Sequence, residues 1–71
     1  MACVNPDGTV TPSAIAVLMA LRTADTAELV APLADLPLFR VRSALRELVA
    51  AGLVAEDDGR YRLTAAGIAR L

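Results

Sequence analysis

Residues 36–63 read LPLFRVRSALRELVAAGLVAEDDGRYRL. The first half of this stretch has a helical period. Val41, Ala44, Leu45 and Leu48 fall at i, i+3, i+4 and i+7, one face of a 3.6-residue repeat. Phe39, Arg42, Ser43 and Arg46 repeat that spacing two positions out of phase. One stripe can face a core while the other faces outward and carries two guanidiniums. The helix starts at Pro37, runs to Ala50 or Ala51 and stops at Gly52, a left-handed cap. Leu53-Val54-Ala55-Glu56 is strand-like, Asp57-Asp58-Gly59 is a turn, and Arg60-Tyr61-Arg62-Leu63 returns with strict alternation. Tyr61 and Leu63 take one face of the returning strand, Arg60 and Arg62 the other. The chain's seven basic residues are all arginine, and five of them lie in this stretch. It is the candidate functional surface.

Upstream, Asn5-Pro6-Asp7-Gly8 suits a type I turn, and Thr9-Val10-Thr11 reads as a short extended piece that either pairs with the hairpin or lies on the surface. Thr11 or Ser13 can cap a first helix with Pro12 in its first turn. Residues 14–21 are apolar on every face, so this helix is either central to the bundle or covered by another chain. A second helix opens at Asp25, with Glu28 three residues later as in a capping box. Leu29, Val30 and Leu33 are expected to face the core. Pro32 inside a helix costs about 3 kcal/mol, which predicts a short helix from Thr26 to about Ala31 and an irregular segment through Asp35. Downstream of the hairpin, Thr64 caps a last helix over residues 65–71. Gly67 weakens that helix, and Ile68 and Leu71 give it an apolar edge.

The bulk composition narrows the function. Seventy-one residues make one domain. The chain is 56% hydrophobic with mean hydropathy +0.55, more apolar than one small core needs. Alanine content accounts for part of the excess, and a homodimer surface formed by helix 1 and the C-terminal helix for the rest. A net charge of −1 and pI near 5.1 count against a basic nucleic-acid binder. The local distribution counts for it, because the field at a face governs association more than the total does. With no histidine and only Cys3, neither a metal site of the usual ligands nor a thiol–imidazole pair is available. The acids cluster at a turn and there is no glycine-rich phosphate loop, so no enzyme, cofactor or small-molecule ligand is expected. Cys3 reads as an inert thiol of a reducing compartment. Without a leader or an apolar run long enough to span a bilayer, a soluble cytoplasmic protein is predicted.

Helix, helix, turn, helix, hairpin is the order of a winged helix-turn-helix. The acidic start Glu28-Leu29 and the ending Leu48-Val49-Ala50-Ala51-Gly52-Leu53-Val54 resemble that family. The exit Tyr61-Arg62-Leu63-Thr64-Ala65-Ala66-Gly67 is similar to that of MarR-like and ArsR-like bacterial and archaeal regulators. The resemblance covers about residues 11–71. It implies a mainly α domain with a small β-hairpin: an extended segment over 1–11, three helices within 12–51, a wing over 53–63 and a short C-terminal helix over 64–71. In the family the third helix enters the major groove and the wing touches the backbone or minor groove. Carried over, this puts Pro37, Leu38, Phe39, Arg40, Arg42, Ser43 and Arg46 on the groove side and Arg60 and Arg62 on the wing. Three features depart from the family pattern: Pro32, a turn at residues 34–37 one residue longer than usual, and the acids Glu56, Asp57 and Asp58 at the wing tip.

The implied function is sequence-specific duplex-DNA binding by a small transcription regulator without a sensor domain. Arginine suits it, since its planar fork takes guanine O6 and N7 or a phosphate, and Phe39 is able to meet a thymine methyl. Plainer readings stand beside these. Arg42 and Arg46 also fit a solvated helix face. Phe39 also fits partial burial against helix 2 or a neighbouring chain, Arg60 and Arg62 an offset of Glu56 or Asp58, and Tyr61 the core. The alternative function is a winged-helix protein-interaction module that binds no DNA. An RNA-binding or antitoxin-like subunit is the weaker third.

Overall fold

Thr11 opens the first helix: its hydroxyl accepts the amide of Ala14 at 3.2 Å, and Ser13 is not the cap. The computed structural model describes residues 4–71, so the reading of Cys3 lies outside the described residues. Its elements are α1 (Pro12–Ala20), α2 (Ala27–Ala34), α3 (Leu38–Ala50), β1 (Val54–Asp57), β2 (Arg60–Leu63) and α4 (Ala65–Ile68). The chain is thus mainly helical, with a two-stranded antiparallel sheet and a short last helix.

The apolar character of α1 follows from its position. It packs on both α2 and α3. Ala14, Val17, Leu18 and Ala20 are buried, Ile15 and Ala16 are half-buried, and Met19 alone of its large side chains is mostly exposed. Of the two expectations for this helix, the central position is the one observed. Leu18, Leu45, Leu48, Val17, Val30 and Val41 are the large side chains at the centre of the core. Among the described residues no polar or charged side chain is buried.

The second helix departs from expectation in three ways. Its cap is Thr26, whose hydroxyl accepts the amide of Leu29 at 3.3 Å, not Asp25. It also continues through Pro32 to Ala34. The proline removes only the bond to the Glu28 carbonyl, and both residues lie on the exposed side, where water can serve that oxygen. The helix then closes firmly. Asp35 turns left-handed at φ 55°, and Leu36 donates its amide to Ala31 O at 3.1 Å, a Schellman ending. Finally, Leu29 and Leu33 face water, 55% and 60% exposed. The inward stripe is Ala27, Val30, Ala31 and Ala34, at i, i+3, i+4 and i+7. Val30 faces the core as expected, flanked by alanines, and the two leucines are left on the outside.

In α3 the buried residues are Val41, Ala44, Leu45 and Leu48, as the spacing predicts. Pro37 stands just before the helix as its N-cap rather than inside the first turn. Gly52 adopts φ 78°, and Leu53 donates its amide to Leu48 O at 3.0 Å, so the predicted left-handed stop is present. The hairpin turn is two residues, Asp58 and Gly59, both at positive φ, with Asp57 inside the strand opposite Arg60. Tyr61 and Leu63 turn inward and Arg60 and Arg62 outward. The free edge of β2 is partly covered: the Tyr61 amide donates to Asp25 O, in the α1–α2 connection, at 2.8 Å.

Both ends of the described chain are tied down. Gly8 donates to Asn5 O at 2.9 Å in the predicted turn, and Val10 bridges to Val4 rather than to the hairpin. Arg70 donates to the Gly8 carbonyl. Residues 69–71 lie beyond α4, which is therefore shorter than expected; Ile68 at its end and Leu71 beyond it are exposed. Thr64 caps α4 by accepting the amide of Gly67 at 3.1 Å, and its hydroxyl donates to Gly52 O at 2.7 Å. Gly67 is a packing requirement rather than a weakness, because a Cβ there would lie 2.0 Å from Leu53 O. Among the described residues no helix is long and apolar enough to cross a membrane.

Since the atom facing Gly67 is backbone, Gly67→Ala must push α4 off the Leu53 segment between α3 and β1. Destabilisation by about 2 kcal/mol is expected, read as a lower urea midpoint. An unchanged midpoint would show that α4 is not held at this contact.

Candidate nucleic-acid interface

The outward face of α3 follows from its buried one. At about 100° per residue, Phe39, Ser43, Arg46 and Ala50 line up opposite Val41, Ala44, Leu45 and Leu48, and all four are exposed. This line is a ridge. Arg42 and Val49 flank it on the side of α2 and the hairpin, and Arg40 and Glu47 on the side of α1. A groove runs along each flank. The hairpin-side groove, about 440 Å³, is lined by Glu28, Arg42, Arg46, Val49, Glu56 and Tyr61 among others. The α1-side groove, about 410 Å³, includes Ser13, Leu36, Phe39, Arg40, Ser43 and Glu47.

The candidate residues therefore divide. Arg42 and Arg46 belong to one groove, and Phe39, Arg40 and Ser43 to the other. Phe39 is 70% exposed, so the expected burial against the second helix does not occur within the chain. The hairpin borders its groove with Glu56, Gly59 and Tyr61, while Arg60 and Arg62 lie outside both linings.

The ion pairs differ from the expected cross-strand offsets. Arg60 Nη1 donates to Asp25 Oδ2 at 2.5 Å, and its register neighbour Asp57 is not the partner. Glu56 instead holds the turn, its Oε2 accepting the Gly59 amide at 2.8 Å. Arg42 Nη2 donates to Glu28 Oε2 at 2.9 Å. Arg46 and Arg62 make no ion pair among the described residues. Sequence reasoning missed Asp25 and Glu28 as partners because it assigned both to capping. The available signal was that Glu28 has no basic residue three or four positions away; Asp25, with Arg22 three positions before it, gave none.

The hairpin-side groove thus holds two carboxylates and two guanidiniums. The backbone amide of Glu28 at the helix start, and then Arg42, hold the Glu28 carboxyl below its ordinary value of 4.5. Asp7 lies below its ordinary 3.8, chiefly through the Thr9 amide and then the Thr9 hydroxyl. A folded value below the unfolded one means that the unfolded chain binds more protons, so stability rises with pH across that interval. The contribution is complete above 4.5 for Glu28 and 3.8 for Asp7, and is lost as pH falls through the lowered folded values.

Urea midpoints are accordingly expected to decline below pH 4.5, with Glu28→Gln declining less steeply than the wild type. Parallel profiles for the two proteins would assign the acid sensitivity elsewhere.

Comparison of the chain with family models, curated proteins and solved structures finds no match.

Proposed function

We propose that the chain is a winged helix-turn-helix that binds duplex DNA as a small transcription regulator, with α3 in the major groove and the hairpin as its wing. One observation carries this reading: the ridge of α3 stands between two grooves with Arg40, Arg42 and Arg46 on its exposed half. A helix of this kind, about 10–12 Å across, fills a major groove about 12 Å wide. The element order and the Tyr61–Asp25 hydrogen bond, which seats the hairpin beside the bundle, support it.

The side chains take distinct roles in this reading. Arg46 reaches base edges or a phosphate from mid-ridge, and Phe39 presents its ring to a thymine methyl near the helix start. Ser43 donates to a base edge, Arg40 holds a phosphate, and Arg62 is the wing contact, with Arg60 beside it. The reading assigns no catalysis, cofactor or small ligand. A homodimer in the cytoplasm completes it, with the exposed Ile68 of α4 and Leu71 just beyond it as contact side chains that would set two α3 ridges on successive turns of the duplex.

Titration of a labelled duplex at several salt concentrations tests the proposal. Affinity should fall linearly in log–log form, and Arg62→Ala at the wing contact should reduce the slope by about 0.9 while leaving circular dichroism unchanged. The absence of any binding at low salt removes the proposal. Sedimentation tests the dimer: a species of the 7.4 kDa chain mass at high concentration would remove it.

The protein-interaction module remains a second reading. The internal pairing of Arg42 and Arg60, with a pI near 5.1, favours it. It predicts that duplex at low salt leaves the amide resonances of Arg40, Arg42 and Arg46 unmoved.

A further inference from the structure

We infer that Asp25 and Glu28 form an acidic clasp that selects for base-edge contacts by withholding two guanidiniums from DNA phosphates. The inference rests on the duplex-binding reading above.

The two acids sit on either side of the Thr26 cap, Asp25 just before α2 and Glu28 in its first turn. Each holds an arginine from a different arm of the proposed surface. Glu28 takes Arg42 of α3 at 2.9 Å, and Asp25 takes Arg60 of the hairpin at 2.5 Å. Asp25 also accepts the Tyr61 amide through its carbonyl, so one short segment joins recognition helix and hairpin. All four side chains are substantially exposed, from 44% for Asp25 to 73% for Arg60. A phosphate can therefore compete for either guanidinium, but only by displacing a carboxylate already in place.

This arrangement divides the arginines by task. Arg42 and Arg60 are neutralised at the flanks, whereas Arg46 on the ridge has no carboxylate partner among the described residues. Phosphate attraction is the part of DNA affinity that ignores sequence, and base-edge contacts are the part that reads it. Withholding two flank cations lowers the first and leaves the second. Asp25 and Glu28 are positioning residues in this scheme: they act through the arginines and touch no base.

The test compares wild type, Asp25→Asn, Glu28→Gln and the double variant on random-sequence duplex. Each freed guanidinium should steepen the salt slope by about 0.9, so a fourfold rise in salt should cost the double variant about twelvefold more affinity than the wild type. Arg42→Gln added to Glu28→Gln should return the slope to the wild-type value. Asp35→Asn, which changes the net charge equally at the α2–α3 turn, should leave the slope unchanged. Side-chain Nε–Hε resonances of Arg42 and Arg60 should move in the matching single variants, with core amides in place. Wild-type binding with an unaltered slope in the double variant overturns the clasp alone. An equal steepening in Asp35→Asn overturns it too, since net charge then suffices. If neither wild type nor any variant binds duplex, the clasp falls together with the DNA-binding reading.

Discussion

Leu53 is the residue on which the arrangement of the proposed surface depends. Its amide ends α3 by donating to Leu48 O, its carbonyl accepts the Thr64 amide at the hairpin exit, and its side chain is buried in the core. Gly67 of α4 lies directly against that carbonyl. One residue thus joins the end of α3, the base of the hairpin and the last helix. The hairpin is only four residues per strand, too small to be stable alone. It holds its place beside α3 because both of its ends are bonded at this junction and its outer edge is bonded to Asp25. The hairpin-side groove between α3 and β2 is a product of that bracing.

The parts of the fold that sequence made legible are those governed by local rules. The α3 stripe was set by a 3.6-residue period, the stop by Gly52, and the hairpin by Asp58-Gly59 with alternating Tyr61 and Leu63. In α2 two stripes competed. Leu29, Val30 and Leu33 suggested one inward face, and Val30 with Ala27, Ala31 and Ala34 forms the real one. Side-chain size argued for burial of the leucines, but the face of α2 in the core carries alanines around Val30, and no local rule ranks one stripe over the other. Pro32 misled similarly, because its cost depends on whether the orphaned carbonyl reaches water. Gly67 looked like a helix breaker until its neighbour, fourteen positions earlier, was known.

The same division holds for the candidate surface. Exposure of Arg42, Ser43 and Arg46 followed from α3's period alone, whereas Phe39, for which partial burial was also expected, is exposed as well. The partners of the arginines did not, because Asp25 meets Arg60 across 35 positions and Glu28 meets Arg42 across 14. Such pairs leave no local signature; what is visible in sequence is only that Glu28 has no basic neighbour on its own helix.

Those long-range pairs change how the chain's charge should be understood. A net charge of −1 looks unsuited to a polyanion when averaged over the molecule. The structure places the charges unevenly. The ridge of α3 carries Arg46 with no acid in its own line, Glu28 and Asp25 are engaged at the flanks, and Glu56 is turned into its own hairpin loop. Exposed pairs of this kind add little stability, with a median of about 0–1 kcal/mol, so holding the fold together is a weak reason for them. Their larger effect is on the field outside the protein, which is strongest where a guanidinium lacks a carboxylate. On the proposed surface that is, among the described residues, Arg46 on the ridge and Arg62 on the hairpin. An acidic chain can therefore still direct a polyanion, provided that its unpaired cations stand on the surface that makes first contact.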